Sequence, residues 1–257
     1  MRVARYERAG GGAGWGLIEG ERLFSAAGVP WDREGLRRTG EVGPVAETRL
    51  LAPVTPGKIV CVGLNYVAHV TENDPSRVVP EEPVLFMKPR SALIGPGEAI
   101  RIANPEHRTD YEAELALVIG TGGRNIPEIE ALDHVFGYTC ANDVSDRVLQ
   151  KKDGQWIRAK GYDTYCPVGP WIETDLEIAD IPVRSRLNGE DRQSQRTSSM
   201  IFSPAFLIAF VSRVMTLQPG DLLLTGTPEG VGPMAPGDIV EIEVGGIGIL
   251  RNPVEAA

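Results

Sequence analysis

The chain has 257 residues, a formal net charge of −9 and an ordinary globular composition, with 42% hydrophobic and 24% charged residues. This acidic balance argues against a nucleic-acid-binding protein, because phosphate recognition needs a basic surface. Cys61, Cys140 and Cys166 form no CxxC pair, which argues against a disulfide framework or a thiolate metal site. The longest apolar run, residues 205–211, is too short to span a bilayer. We therefore expect a cytoplasmic protein with no membrane or nucleic-acid partner.

The first 53 residues differ from the rest and are predicted to form a small, β-rich module. Residues 3–6 and 16–24 have the pattern of short strands, the second folded into a hairpin at Glu19-Gly20. A proline-bounded linker, residues 53–56, then leads into the main body. The predicted units are residues 1–53 and 54–257. The alternative is that residues 1–53 are an irregular leading edge of a single domain.

The main body is predicted to consist mostly of short strands separated by Gly/Pro turns. Asn188-Gly189 indicates a tight hairpin, and Ser203-Pro204 indicates the start of a helix. Asn65 is predicted to cap an earlier helix. In chain order we predict strands at residues 58–62, 83–88, 99–102, 112–119, 136–141, 183–187, 190–193, 221–225, 239–244 and 247–250, and helices at 65–73, 145–151 and 204–215. This pattern predicts an α+β fold that is predominantly β, with a closed or folded-over sheet.

The predicted strand at residues 112–119 carries two carboxylates on one face. Alternate residues of a strand share a face, so Glu112 and Glu114 point the same way, and both faces become apolar towards the strand's end. Two like charges about 6 Å apart repel by roughly 3 kcal/mol even at an effective dielectric constant of 20. A divalent cation between them is the simplest compensation, and solvation at an exposed strand start is the alternative.

Asp143 follows the predicted strand at residues 136–141, where the chain turns into a predicted helix. On that helix Asp143, Arg147 and Gln150 would align at i, i+4 and i+7. Three carboxylate ligands without His or Cys favour Mg²⁺, Mn²⁺ or Ca²⁺ over Zn²⁺. Such a site would leave about three octahedral positions for substrate and water.

Two further positions are candidates for proton transfer and charge stabilisation. On a helix His69 and Glu72 are i, i+3, and a carboxylate on one ring nitrogen would raise the basicity of the other. Lys160 lies between Ala159 and Gly161 at the start of a proline-rich segment and could present its ammonium group to an oxyanion. The alternatives are a helix-stabilising His–Glu pair and an ordinary surface lysine.

From Lys58 to the C-terminus the chain contains a series of motifs in a fixed order. They are Gly63-Leu-Asn-Tyr-Val-Ala-His69, Pro83-Val-Leu-Phe-Met-Lys88-Pro, Tyr111-Glu-Ala-Glu114, Asn142-Asp-Val-Ser-Asp-Arg147-Val-Leu-Gln150, Arg158-Ala-Lys160-Gly-Tyr-Asp-Thr-Tyr-Cys-Pro, Asn188-Gly-Glu, Ser198-Ser-Met-Ile-Phe202 and Leu224-Thr-Gly-Thr-Pro228. In this order they resemble the fumarylacetoacetate hydrolase (FAH) superfamily, in particular its short bacterial and mitochondrial members.

The resemblance implies a mixed β-sandwich roll, usually dimeric, with a small N-terminal module. It implies a Mg²⁺ or Mn²⁺ site at Glu112, Glu114 and Asp143. It also implies a water-activating dyad of His69 and Glu72, an oxyanion lysine at Lys160, and substrate-binding groups at Arg147, Gln150, Gly226 and Thr227. The chain departs from the family at Ala68, where aspartate is usual, and at Asp146 and Val148, which flank Arg147.

The implied function is that of a metal-dependent enzyme acting on a small enolisable 2-oxo or 2-hydroxydienoic acid. The leading expectation is an isomerase or decarboxylase of the 2-hydroxyhepta-2,4-diene-1,7-dioate type in aromatic-acid breakdown. The alternatives are an acylpyruvate or fumarylpyruvate C–C hydrolase, an oxaloacetate decarboxylase, and, from another class, a non-catalytic metal-stabilised binding protein. The polar segment 73–82 is predicted to be a loop that closes over bound substrate.

Overall fold

Short strands dominate the computed structural model, which describes residues 1–32, 34–72 and 74–257. The chain is mostly β, with 43% strand and 17% helix, which confirms the predicted α+β class. In chain order the strands are β1 Arg2–Glu7, β2 Ala13–Glu19, β3 Arg22–Ala27, β4 Arg37–Pro44, β5 Leu50–Leu51, β6 Ile59–Gly63, β7 Val84–Lys88, β8 Leu93–Ile94, β9 Ile100–Ile102, β10 Thr109–Tyr111, β11 Ala113–Ile119, β12 Val135–Asn142, β13 Ser145–Asp146, β14 Cys166–Glu173, β15 Pro182–Leu187, β16 Glu190–Arg196, β17 Leu222–Leu224, β18 Gly232–Pro233, β19 Ile239–Val244 and β20 Gly248–Ala256.

Helices are few and short in the described part of the chain. The α-helices are α1 Val67–Thr71, α2 Arg147–Asp153, α3 Ile157–Lys160 and α4 Pro204–Val214. Single 3₁₀ segments lie at Val45–Glu47, Arg90–Ala92, Glu128–His134 and Thr197–Ser199. Among the described helices, none is long and apolar enough to cross a membrane.

The strands assemble into three mixed or antiparallel sheets. The largest has twelve strands in the order β4-β3-β2-β1-β14-β12-β11-β17-β6-β7, with β5 paired to β1 and β8 to β14. A five-stranded sheet runs β16-β15-β19-β20-β9, and a small sheet runs β13-β10-β18. The pairs β17–β6, β14–β8 and β20–β9 are parallel. Strand β11 therefore lies inside the large sheet, between β12 and β17.

The first strands of the chain continue this large sheet. β1 pairs antiparallel with β14, with Arg2 opposite Glu173 and Val3 opposite Ile172. The N-terminal amino group lies 2.8 Å from the Glu173 carboxylate. Residues 1–53 thus add β1 to β5 to an edge formed by the main body.

Strand β11 is buried along its whole length and separates two hydrophobic clusters. Ala113, Leu115 and Leu117 pack in the cluster that includes the five-stranded sheet and α4. Ala116 and Val118 pack on the opposite face, against β12, β14 and β17. The predicted alternation is confirmed, and burial of each large apolar side chain contributes about 1.5–3 kcal/mol. Strand β11, which follows Glu112 and contains Glu114, is therefore packed on both faces.

Of the predictions made from turn and helix-capping residues, two are confirmed and one is wrong. The hairpin at Asn188-Gly189 forms with φ angles of 55° and 83°, and Ser203 caps α4 by accepting a hydrogen bond from the Phe206 amide. Asn65, however, does not cap α1, because its buried amide bonds the backbone of Phe202 and Thr225 instead. Tyr66 occupies the N-cap position without a side-chain hydrogen bond. The predicted end of this helix, Asn73, lies outside the described residues.

Candidate metal centre and active site

Three carboxylates converge where β11 begins and β12 ends. Glu112, Glu114 and Asp143 each offer an oxygen within 4.8 Å of the others, and all three are buried. The ladder positions them, because Ala113 pairs with Asn142 at the ends of the two strands. The Asp143 amide donates to the Glu112 carbonyl at 3.0 Å, and the Glu112 amide donates to Asn142 Oδ1 at 2.9 Å. Backbone pairing thus brings the first and third acidic residues together.

The chemistry of this cluster fits a hard divalent cation. Its ligands are all carboxylate oxygens, the donor type preferred by Mg²⁺ and Mn²⁺. Asp143 Oδ1 is buried and has no hydrogen-bond partner among the described residues. The Lys88 ammonium lies 2.7 Å from that oxygen, but its three protons go to the carbonyls of Val144, Lys160 and Tyr165. Lys88 therefore supplies charge to Asp143 while leaving this oxygen free to coordinate.

The pKa shifts of the two glutamates have opposite signs. Burial, together with the charges of Asp143 and Glu112, raises the pKa of Glu114 well above its ordinary value. Burial would also raise the pKa of Glu112, but the adjacent Lys160 and Arg147 outweigh it and lower that pKa. The existing cations therefore stabilise the ionised form of Glu112 but not that of Glu114, which further positive charge would favour.

Lys160 ends α3 with its side chain almost fully buried against the acidic cluster. Its ammonium group lies 2.9 Å from Glu112 Oε2 and 2.5 Å from Asp143 Oδ2. The same group lies 4.7 Å above the Phe86 ring. Burial would lower the pKa of Lys160, but the two carboxylates raise it. The residue is thus charged and adjacent to the predicted metal site, where an oxyanion lysine is expected.

Arg147 and Gln150 lie on the first turns of α2. Arg147 Nη1 lies 2.6 Å from Glu112 Oε1 and donates to Gln150 Oε1 at 2.8 Å, while its Nε donates to Asp110 at 2.7 Å. The remaining nitrogen, Nη2, is buried and has no hydrogen-bond partner among the residues the structure describes. An oxygen of a bound anion would satisfy this donor.

The helical alignment predicted for Asp143, Arg147 and Gln150 is wrong for Asp143. Residues 145 and 146 pair with β10 as β13, and α2 begins only at Arg147. Asp143 therefore joins the site from the end of β12, not from a helix face. The chain turns there because Asp146 accepts the Leu149 amide as an N-cap.

His69 and Glu72 form the predicted pair beside the cluster. His69 Nδ1 lies 3.1 Å from Glu72 Oε2, and Glu72 Oε1 accepts the Gly230 amide at 2.7 Å. Burial would raise the pKa of Glu72, but these bonds outweigh it and lower that pKa. A charged Glu72 fixes the ring and leaves its Nε2 for a ligand.

His69 lines a cavity of about 640 Å³, whose lining residue Arg147 contacts Glu112 of the acidic cluster. Arg147 and Gln150 line the same cavity, as do Asp74 and Arg77 from the predicted closing loop 73–82. Asn73, the first residue of that loop, lies outside the described residues. His69 and two of the predicted substrate-binding residues, Arg147 and Gln150, thus share one cavity.

Gly226 and Thr227 are held by protein groups in the structure. The Gly226 amide donates to Glu114 Oε2 at 2.7 Å, and Thr227 Oγ1 accepts from Gln193 at 2.8 Å. Gly226 has a φ of 97°, and a Cβ there would lie 2.7 Å from the Asn65 Cβ, so only glycine fits. Gly226 thus orients a predicted metal ligand, and its substrate-binding role stays a prediction.

Sequence reasoning missed two charged residues of the site, Lys88 and Asp110. Lys88 is one of only five lysines and belongs to a quoted motif, a signal that could have identified it. Asp110, fully buried between Arg108 and Arg147, follows an unremarkable polar loop and gave no signal. His107, near the site, has its Nδ1 2.7 Å from the buried Asp146.

Comparison with known proteins agrees with the fold and with the resemblance. Residues 58–255 match the family described as fumarylacetoacetate (FAA) hydrolase C-terminal, and residues 1–53 match Rv2993c-like, N-terminal. Protein Rv2993c of Mycobacterium tuberculosis is 50% identical over 222 residues, which cover 84% of this chain and 82% of that protein. The mitochondrial oxaloacetate tautomerase fahd2 of Xenopus laevis is 46% identical over 218 residues, covering 80% and 68% respectively.

A solved structure gives the same result over the full length. The crystal structure of 2-hydroxyhepta-2,4-diene-1,7-dioate isomerase from Mycobacterium marinum superposes with a TM-score of 0.89 at 44% identity, covering 100% of this chain and 98% of that one. With the family match spanning most of the chain, the expected fold and the expected family are both confirmed. The chain belongs to the fumarylacetoacetate hydrolase family of enzymes.

Proposed function

We propose that the protein is a Mg²⁺- or Mn²⁺-dependent enzyme that isomerises or decarboxylates a small enolisable 2-oxo acid of the 2-hydroxyhepta-2,4-diene-1,7-dioate type. The observation that carries the proposal is the buried convergence of Glu112, Glu114 and Asp143 beside a cavity lined by His69 and Arg147. Similarity to an isomerase and to an oxaloacetate tautomerase supports the same reaction class.

Each residue of the site has a role in this chemistry. Glu112, Glu114 and Asp143 would hold the ion, which when bound supplies Lewis-acid stabilisation of negative charge on the 2-oxo or enolate oxygen. Arg147 Nη2, a buried donor without a partner, would bind an oxygen of the substrate carboxylate, with Gln150 beside it. Lys160 keeps positive charge where the enolate develops.

Proton transfer would fall to His69. Glu72 holds Nδ1, so Nε2 is the ring nitrogen that accepts a proton from one substrate atom and returns it to another. This relocation of a proton is what tautomerisation and isomerisation require. The same nitrogen would accept a proton from water in C–C hydrolysis of an acylpyruvate, which is the alternative that the intact His69–Glu72 pair favours.

Product analysis tests the proposal and separates it from the hydrolase alternative. Metal-stripped protein is incubated with 2-hydroxyhepta-2,4-diene-1,7-dioate, oxaloacetate or an acylpyruvate, with and without Mg²⁺ or Mn²⁺. We expect metal-dependent isomerisation or decarboxylation, and no turnover of any substrate would contradict it. Metal-dependent cleavage of the acylpyruvate alone would establish the hydrolase.

His69→Asn is expected to lower metal-dependent turnover by about 10²–10⁴-fold, because it removes the proton-transfer group. His134→Asn is a matched control, since His134 bonds the Thr121 carbonyl outside the cavity. Oxalate affinity should stay unchanged in both variants. Equal turnover of the two variants would remove His69 from the mechanism.

A non-catalytic metal-stabilised protein is the remaining alternative. It would show a metal-dependent melting temperature with no turnover of any of these substrates. The buried Lys160 and the His69–Glu72 pair argue against it, because a purely structural ion needs neither group.

A further inference from the structure

The cavity that His69 lines has more cationic side chains than carboxylates among its described lining residues. Among the residues that the structure describes, its lining includes the cations Arg77, Arg108, Arg147 and Lys151 and two carboxylates, Asp74 and Asp110. This local excess contrasts with the net charge of −9 of the whole chain. At about 640 Å³ the cavity has the size of a typical small-molecule site, with room beyond a single 2-oxo-acid group.

Arg108 is the cation best fixed in this lining beyond Arg147. Its Nε and Nη2 donate to the two oxygens of Asp110 at 2.8 and 3.0 Å, which holds the guanidinium in one plane. Asp110 is fully buried and also accepts from Arg147 Nε at 2.7 Å. Asp110 thus holds two guanidinium groups that face the same cavity. Arg147 also pairs with Glu112, whereas Asp110 is the one carboxylate paired with Arg108 among the described residues.

The backbone that carries Arg108 is also held in place. The Arg147 amide donates to the Arg108 carbonyl at 2.9 Å. Asn104 and His107, on the same segment, both bond the buried Asp146. The Arg108 side chain is nevertheless half-exposed, so a ligand can reach its remaining nitrogen. Such a pre-organised arginine loses little conformational entropy when it binds a carboxylate.

We propose that Arg108 binds the distal carboxylate of a dicarboxylic 2-oxo acid whose 2-oxo-acid end lies at the metal centre. This inference rests on the proposed function and adds a specificity-determining residue to it. A dianion places one charge near Arg147 and the other near Arg108. A monocarboxylic substrate of the same length makes no contact with the Arg108 nitrogen that Asp110 leaves free.

A matched pair of ligands tests the assignment in the presence of Mg²⁺. Calorimetry compares 2-oxoadipate with 2-oxohexanoate, which has the same chain length but no distal carboxylate, and oxalate reports on the metal end alone. Each is titrated into the unaltered protein, Arg108→Gln and Arg213→Gln. The last variant removes an exposed arginine outside this cavity and so controls for the change in net charge.

We expect the unaltered protein and Arg213→Gln to bind the dicarboxylate about tenfold more tightly than the monocarboxylate. In Arg108→Gln this ratio should fall close to one. The ratio is the readout because any shift of Asp110 or Arg147 weakens both acids alike.

Two results would overturn the inference on its own. One is an unchanged ratio in Arg108→Gln, and the other is no preference in the unaltered protein, in each case with oxalate still bound. Failure of oxalate to bind any of the three proteins would overturn the proposed function, and this inference with it.

Discussion

At the residue scale, the site is a balance of buried charges, and Lys160 is central to it. The lysine contacts two of the three carboxylates, and Lys88 and Arg147 supply the neighbouring positive charge. A divalent ion would add charge at the same place. The stability of this cluster should therefore depend on Lys160 and on the ion together.

Lys160→Met is expected to lower the free energy of unfolding by about 3–5 kcal/mol in EDTA, because it leaves buried carboxylates without their partner. Saturating Mg²⁺ should recover part of this loss. Urea denaturation with EDTA and with Mg²⁺ measures both effects.

Lys58→Met is the matched control, because Lys58 pairs with the buried Asp221 away from the cluster. Mg²⁺ should raise the free energy of unfolding of Lys58→Met by no more than it raises that of the unaltered protein. Equal recovery in the two variants, or none in Lys160→Met, would contradict the account.

Whether the place of a single residue could be predicted depended on whether the pattern that marks it is local in the sequence. Alternation within one strand was enough to place Glu112 and Glu114 on a shared face, because that periodicity is local. Lys88 was marked only by its rarity and its motif, and Asp110 by nothing, because the contacts that place them in the site, with Asp143 and Arg147, join distant parts of the chain. Asn65 is a residue type that often caps helices, but its buried side-chain amide instead donates to distant backbone carbonyls.

At the element scale, α2 carries Arg147 and Gln150, and Asp146 holds its start. Asp146 is fully buried, with one oxygen accepting the Leu149 amide and the other bonded by Asn104 and lying 2.7 Å from His107. This gives a structural role to a position where the chain departs from the family pattern. The helix start was predicted two residues too early because Ser145 and Asp146 pair with β10, a contact no local pattern reveals.

Asp146→Ala is expected to lower the free energy of unfolding by about 1–2 kcal/mol through loss of the cap, and to weaken oxalate binding in Mg²⁺ as Arg147 and Gln150 shift. Ser203→Ala removes the N-cap of α4 and serves as control. It should cost a similar amount of stability with unchanged oxalate affinity. Equal oxalate affinities in the two variants would show that the cap does not position the site.

At the scale of the whole molecule, the site is assembled by sheet order. Glu114 on β11 receives the Gly226 amide from the segment after β17, 112 residues later, because the two strands are neighbours. The sequence motifs predicted which residues meet, through resemblance to a family. Composition and periodicity alone predicted many short strands but not their order, because pairing between distant strands has no local signal.

The division into residues 1–53 and 54–257 stays a prediction, as does the dimer. The structure shows that the first strand joins the large sheet through β14, so the N-terminal segment and the main body share one set of backbone hydrogen bonds. The small module that the resemblance implied is therefore continuous with the main body through this strand pairing.

Anomalous diffraction from crystals soaked in Mn²⁺ tests the central claim most directly. The account predicts one Mn²⁺ peak between Glu112, Glu114 and Asp143, coordinated by an oxygen from each. The same peak should be absent from Glu114→Gln crystals soaked identically. Strong Mn²⁺ density elsewhere with none between these carboxylates, or no bound Mn²⁺ at saturating concentration, would contradict it.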